Sequence, residues 1–200
     1  MIPADASRTI ADALALRPEA FLTALELGRP GLRLGMTVVF LAGLSTAVGQ
    51  SVILFAHRVS PRRFAASLLV QALLFVAGFM AWAVATWLVA GTVFDRPRSV
   101  DLALTTIGLA YAPQLFAFFV LTPYFGTPIG TALSVWTLLA TVLATAVAFD
   151  LGLVEAAACA GLGWLLSQLL QRTIGLPITR IGRVVRRAVA GVDVRATPRP

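Results

Sequence analysis

Of 200 residues, 58% are hydrophobic and only 12% charged, and the mean hydropathy is +0.88; a water-soluble fold, which carries about 25% charged residues, is excluded. The net charge is +7 and every basic residue is an arginine. These arginines stand in tails and loops beside apolar runs, so anionic lipid is their nearer partner and nucleic acid is not expected. One cysteine, Cys159, and one histidine, His57, make neither an internal disulfide nor a metal site.

The apolar runs are long and continuous rather than alternating over about ten residues, which predicts membrane-spanning helices and not a barrel. The expected fold is an all-α integral membrane bundle of about five transmembrane helices with short amphipathic flanking helices. Residues 1–33 hold two amphipathic helix candidates. The second opens at Pro18 and Glu19 and closes at Gly28, before an Arg29-Pro30-Gly31 break, with Phe21, Leu22 and Leu25 on its apolar face. So short a helix is marginal alone in water, so it is expected on the membrane surface or on the bundle, with a loosely ordered tail as the alternative. Asp5, Asp12, Glu19 and Glu26 precede the first apolar run, unlike the basic start of a secretory signal.

The five-span domain is predicted over 34–170, with spans at 34–56, 64–92, 102–125, 128–149 and 151–170. The second run is long for a bilayer and must tilt or end near Gly91. The third carries Pro113, whose missing hydrogen bond neighbouring helices can repair. From Pro128 to Leu170 the chain is apolar apart from Asp150 and Glu155, so it must double back, and Asp150-Leu151-Gly152 is the turn-like interruption. In the tail, 171–200, Arg180, Arg183, Arg186 and Arg187 interleave with Ile181, Val184, Val185 and Val189. That pattern predicts a basic amphipathic helix at the interface, guanidinium groups on anionic head groups.

Five spans put the termini on opposite sides. Arginines divide six to ten in favour of the C-terminal side, which places the C-terminus in the cytoplasm by the positive-inside rule.

Catalysis needs titratable groups within hydrogen-bond reach of one another, and the chain offers few combinations. No enzyme activity and no cofactor are expected. Asp150 reads as a turn residue. Glu155 is a candidate partner-binding or coupling carboxylate, with snorkelling to the interface as the plainer reading. Gln50, Gln71 and Gln114 fall in spans one to three, where amides bond across helix interfaces. In the fifth span Ala157 and Gly161, like Cys159 and Gly163, set small residues four apart, the pattern of close helix contact within the bundle or between copies.

Three stretches carry a resemblance: Leu16-Arg17-Pro18-Glu19-Ala20-Phe21; Ala110-Tyr111-Ala112-Pro113-Gln114-Leu115; and Pro123-Tyr124-Phe125-Gly126 leading to Val135-Trp136-Thr137-Leu138-Leu139-Ala140. The likeness continues through Ala148-Phe149-Asp150 to Gly163-Trp164-Leu165. In order and spacing they resemble bacterial members of the Ypt-interacting-protein (Yip) domain family. Two positions depart from that pattern: Ala146 stands where an arginine is frequent, and Glu155 where a basic residue commonly follows the hairpin. The resemblance implies a five-span bundle without catalytic activity, in the bacterial cytoplasmic membrane, with Tyr111 and Gln114 inside a motif. Its eukaryotic relatives associate with Rab-type GTPases and keep their N-terminus cytosolic, opposite to the charge count, so orientation stays open. The expected function is a non-enzymatic scaffold or adaptor binding other membrane proteins, or itself, and anionic lipid; the alternative is a transporter or channel component resting on Glu155 and the span glutamines.

Overall fold

The computed structural model describes residues 5–49, 61–122 and 124–170, and every element in them is helical. Helix α1 is Ala6–Leu14, α2 is Pro18–Glu26, α3 is Arg29–Gly49 and α4 is Pro61–Thr92. Helix α5, Val100–Ala110, continues into a 3-10 helix, Ala112–Leu121, and α6, Gly126–Phe149, is followed by α7, Leu153–Leu170. Five spans are long and apolar enough to cross a bilayer: α3, α4, the α5 and 3-10 pair, α6 and α7. The chain is an integral membrane protein, and its spans run between a near end, where α3 begins, and a far end.

Span boundaries differ from the sequence reading where backbone chemistry overrides composition. Arg29-Pro30-Gly31 is not a break but the first turn of α3. Proline is tolerated there because its missing N–H has no helical partner in a first turn. The corner falls one residue earlier, at Gly28, whose φ of 61° is left-handed and suits glycine. Helix α4 begins at Pro61 rather than residue 64 and is unbroken through Gly91. At 1.5 Å per residue it is about 48 Å long, so it tilts or projects beyond a hydrocarbon core of about 30 Å. The third span stops being α-helical at Ala110 and ends at Leu121, short of residue 125. Residues 50–56 of the first predicted span lie outside the described residues.

Pro113 accounts for the 3-10 stretch. It has no N–H for the carbonyl four residues back, and the chain tightens instead, Gln114 N donating to Tyr111 O at 2.9 Å. Ten residues is long for this geometry, and a neighbour supports it. The Ser45 hydroxyl on α3 donates to Leu115 O at 2.8 Å and accepts from Phe118 N at 2.9 Å, inserting between two backbone groups of the 3-10 helix downstream of Pro113.

Helix α3 is the hub, packed against α4, α5 and the 3-10 helix, while α6 lies against α5 and the 3-10 helix. Close approach depends on small residues: a Cβ on Gly35 would stand 2.7 Å from Thr105 O, and one on Gly108 would stand 3.0 Å from the Gly35 carbonyl carbon. Helix α7 packs on α4, with Trp82 Nε1 donating to Ala160 O at 3.3 Å.

Of the alternatives open for residues 1–33, the bundle is the one realised. Helices α1 and α2 form a hairpin seated against α3, α5 and α6. Ala13, Ala20, Phe21 and Ala24 are buried in one cluster with Leu34, Val38, Leu109, Ala110, Ala140 and Ala144. Trp136 Nε1 donates to Leu14 O at 3.0 Å. Trp136 lies ten residues into α6, about 15 Å from the start of that helix at 1.5 Å per residue, so the tip of the hairpin reaches the middle of the spans.

Candidate functional site

The sequence-predicted residues fall into separate places. Asp150 adopts the left-handed conformation, φ 53° and ψ 54°, at the C-terminus of α6. Leu151 N donates to Ala146 O at 3.1 Å, closing the helix as a Schellman-type turn, in which aspartate tolerates positive φ. Gly152 N then donates to Glu155 Oε2 at 3.2 Å, half of a capping box at the start of α7. The Glu155 carboxylate therefore caps a helix at the near end and is exposed. Arg96 reaches Asp150 Oδ2 at 3.9 Å, with both side chains largely exposed, a pair of small energetic weight.

The two small-residue pairs of α7 point in opposite directions. Cys159 and Gly163 are buried, and Cys159 Sγ donates to Thr86 O at 3.7 Å. A Cβ on Gly163 would collide with Thr86 backbone and side chain, so this pair sets the α4–α7 contact. Ala157 and Gly161 are exposed, and a Cβ on Gly161 would meet nothing within 4 Å.

Tyr111, at the junction of α5 and the 3-10 helix, sits among three aromatic rings of α4. Phe75, Phe79 and Trp82 meet it edge-on with centroids 5.6, 5.3 and 6.0 Å away, the favoured arrangement for aromatic quadrupoles. Gln114, one turn further along the same span, donates from Nε2 to Thr137 Oγ1 at 3.1 Å, an amide bonding across helices. Gln71 is exposed on α4 and has a partner. Gln50, Arg180, Arg183, Arg186 and Arg187 lie outside the described residues.

Gln114 lies in the wall of a crevice of about 790 Å³ between the far-end part of α3, the 3-10 helix and the first half of α6. Its polar lining is Thr46, Gln114, Thr122, Tyr124, Thr127, Thr131 and Ser134. Val120, Leu133 and Val135 supply apolar wall, and no charged side chain lines the crevice among the described residues. Most helix threonines here return their hydroxyl to the carbonyl four residues earlier, as Thr131, Thr137, Thr141 and Thr145 do at 2.8–3.0 Å. Thr46 does not: its Oγ1 is buried without a partner among the described residues.

Two features escaped sequence reasoning. Thr46 reads as one hydroxyl among many in an apolar run. Arg17 and Asp12, joined at 2.8 Å, read as surface charges of an amphipathic tail, yet they flank a hairpin tip at mid-span. The signal that could have found the second is the Phe21 stripe of α2, too apolar to be left on a surface helix with the small residues Ala13, Ala20 and Ala24 beside it.

Comparison with family models, with curated proteins and with solved structures gives no match.

Proposed function

We propose that this polytopic membrane protein is a non-enzymatic scaffold or adaptor of the Yip type, which docks other membrane helices, or a second copy of itself, and carries a basic C-terminal tail for anionic lipid. The observation that supports it is the two-sidedness of α7. Its inner small-residue stripe is occupied by α4, while Ala157 and Gly161 leave an equivalent stripe open on the lipid-facing side, where backbones can approach closely. Such an open stripe serves docking and no chemistry. Glu155 is engaged as a helix cap at the near end, which takes away one support of a transport reading. On this proposal the protein resides in a bacterial cytoplasmic membrane with its C-terminus in the cytoplasm, and works without cofactor.

Affinity purification in mild detergent is expected to recover a stoichiometric membrane partner or a homo-oligomer, and Gly161→Leu to abolish that association while leaving the thermal midpoint unchanged. A monomer that persists under several gentle conditions, or an association indifferent to Gly161→Leu, would overturn the proposal.

A further inference from the structure

A small pocket opens at the near end, between the C-terminus of α2 and the first turns of α3 and α5. It holds about 280 Å³, just under the range of about 300–1,000 Å³ typical of small-molecule sites, so it suits a head group and not a whole lipid. Thr105, its deepest residue on α5, is five positions into that helix, about 8 Å below the helix start. The pocket therefore lies at the head-group and glycerol level of the membrane. Every connection between helices at this end, residues 27–28, 93–99 and 150–152, is described.

Three observations define what fits. First, both signs of charge line the one pocket: Arg29 opens α3, and Asp101 stands in the first turn of α5. Neither side chain has an ion-pair or hydrogen-bond partner among the described residues, where the ion pairs are Arg17–Asp12 and Arg96–Asp150. Opposite charges that share a pocket without pairing with each other are matched by a ligand that carries both signs. Second, half-buried Leu25, Leu32 and Leu102 form apolar wall beside them, a surface for the carbon atoms of such a ligand. Third, the wall contributed by α5 is held in place. Trp87 Nε1 donates to Arg98 O at 2.6 Å and Arg96 N donates to Ala90 O at 3.0 Å, which pins the residues leading to Ser99; tryptophan is a usual anchor at this level of the membrane. Ser99 makes no side-chain cap bond to α5, so its hydroxyl is a further donor on the pocket wall.

We infer that this pocket binds the head group of phosphatidylethanolamine. The phosphate meets the Arg29 guanidinium and the Ser99 hydroxyl, the primary ammonium two carbons away donates to the Asp101 carboxylate, and the acyl chains stay in the surrounding bilayer. A phosphatidylglycerol head group brings no cation for Asp101, and the quaternary ammonium of phosphatidylcholine has no N–H to donate. The inference is independent of the adaptor proposal and of its basic tail, since Gly161, the outer face of α7 and residues 171–200 take no part in it.

The test uses the full chain in liposomes of dioleoyl phosphatidylcholine with a trace of phosphatidylethanolamine bearing a diazirine near the head of one acyl chain. Photolabelling is expected to map to residues 25–32 and 99–105. Replacing part of the bulk lipid by unlabelled dioleoyl phosphatidylethanolamine should displace the label at least about fivefold more effectively than the same amount of dioleoyl phosphatidylglycerol, the discrimination expected of one charge-assisted hydrogen bond at a partly exposed site. Asp101→Asn and Arg29→Gln should each lower labelling by a similar factor, Asp101→Glu should retain it, and Arg96→Gln, at the same end but outside the pocket, should leave it unchanged. The thermal midpoint of each variant, measured in liposomes without probe, separates loss of the site from loss of the fold. Equal displacement by the two lipids, labelling unchanged in a folded Asp101→Asn, an equal loss in Arg96→Gln, or equal displacement by soluble glycerophosphoethanolamine would each overturn the inference.

Discussion

At the scale of single residues, the clearest contrast is between two glycines two positions apart on α7. A Cβ at Gly163 runs into Thr86, whereas one at Gly161 meets open space. Gly163→Ala is therefore expected to cost about 1–3 kcal/mol through overpacking, while Gly161→Ala changes stability by less than about 0.5 kcal/mol, as for a surface substitution. Thermal unfolding in detergent, with the two variants side by side, checks this, and equal midpoints would contradict the α4–α7 contact. Glu155 offers a second discriminating pair. As a capping residue, its role is retained by glutamine and lost with alanine, so Glu155→Ala should destabilise by about 1 kcal/mol and Glu155→Gln by much less. Both effects would be read as shifts in the same unfolding midpoint. A carboxylate needed for its charge would instead be lost equally in both variants. The turn at Asp150-Leu151-Gly152 and an interfacial Glu155 were legible in the sequence; the cap itself was not, because it depends on the Gly152 N–H facing the Glu155 carboxylate.

At the scale of elements, the N-terminal hairpin is what composition described least well. Its period of apolar residues was legible, and so were Pro18 at the start and Gly28 at the end of α2. Its depth was not, because depth is set by partners far along the chain: Phe21 is fully buried beside residues of α3, α5 and α6. Between helices in lipid, fit replaces hydrophobic transfer as the source of affinity, and fit cannot be read from an amphipathic pattern. Phe21→Ala should open a cavity costing on the order of 3 kcal/mol and loosen the hairpin. The expected readout is faster modification of a cysteine placed at Ala24 by a membrane-impermeant maleimide, in a background lacking Cys159. Unchanged protection at Ala24 would show that the hairpin is held by something other than this cluster. The third span was legible in position but not in kind. Pro113 announced an interruption, yet a 3-10 continuation depends on the Ser45 hydroxyl on another helix, which no local pattern encodes.

For the molecule as a whole, five spans and their order followed from the apolar runs alone, because backbone groups in lipid leave helices as the only continuous solution. Among the described residues, six arginines and eight carboxylates belong to the near side, and Arg62 and Arg63 open α4 at the far end. With the six-to-ten arginine division expected from the sequence, the proposed orientation has the far end in the cytoplasm. Single cysteines at Arg96 and Arg62, again in a Cys159→Ala background, should be labelled from opposite faces of intact cells, Arg96 from outside. Labelling of both from one face would overturn the span count, and labelling of Arg96 only after permeabilisation would reverse the orientation. The far-end crevice was not legible at all, since its walls come from three helices. The hairpin has a further consequence for biogenesis. The carbonyl of Leu14 waits for an indole 122 positions downstream, and residues 109–112 and 140–144 complete its socket. The hairpin is thus synthesised long before its socket is complete, and a nascent chain arrested before the α6 crossing would hold it unsheltered.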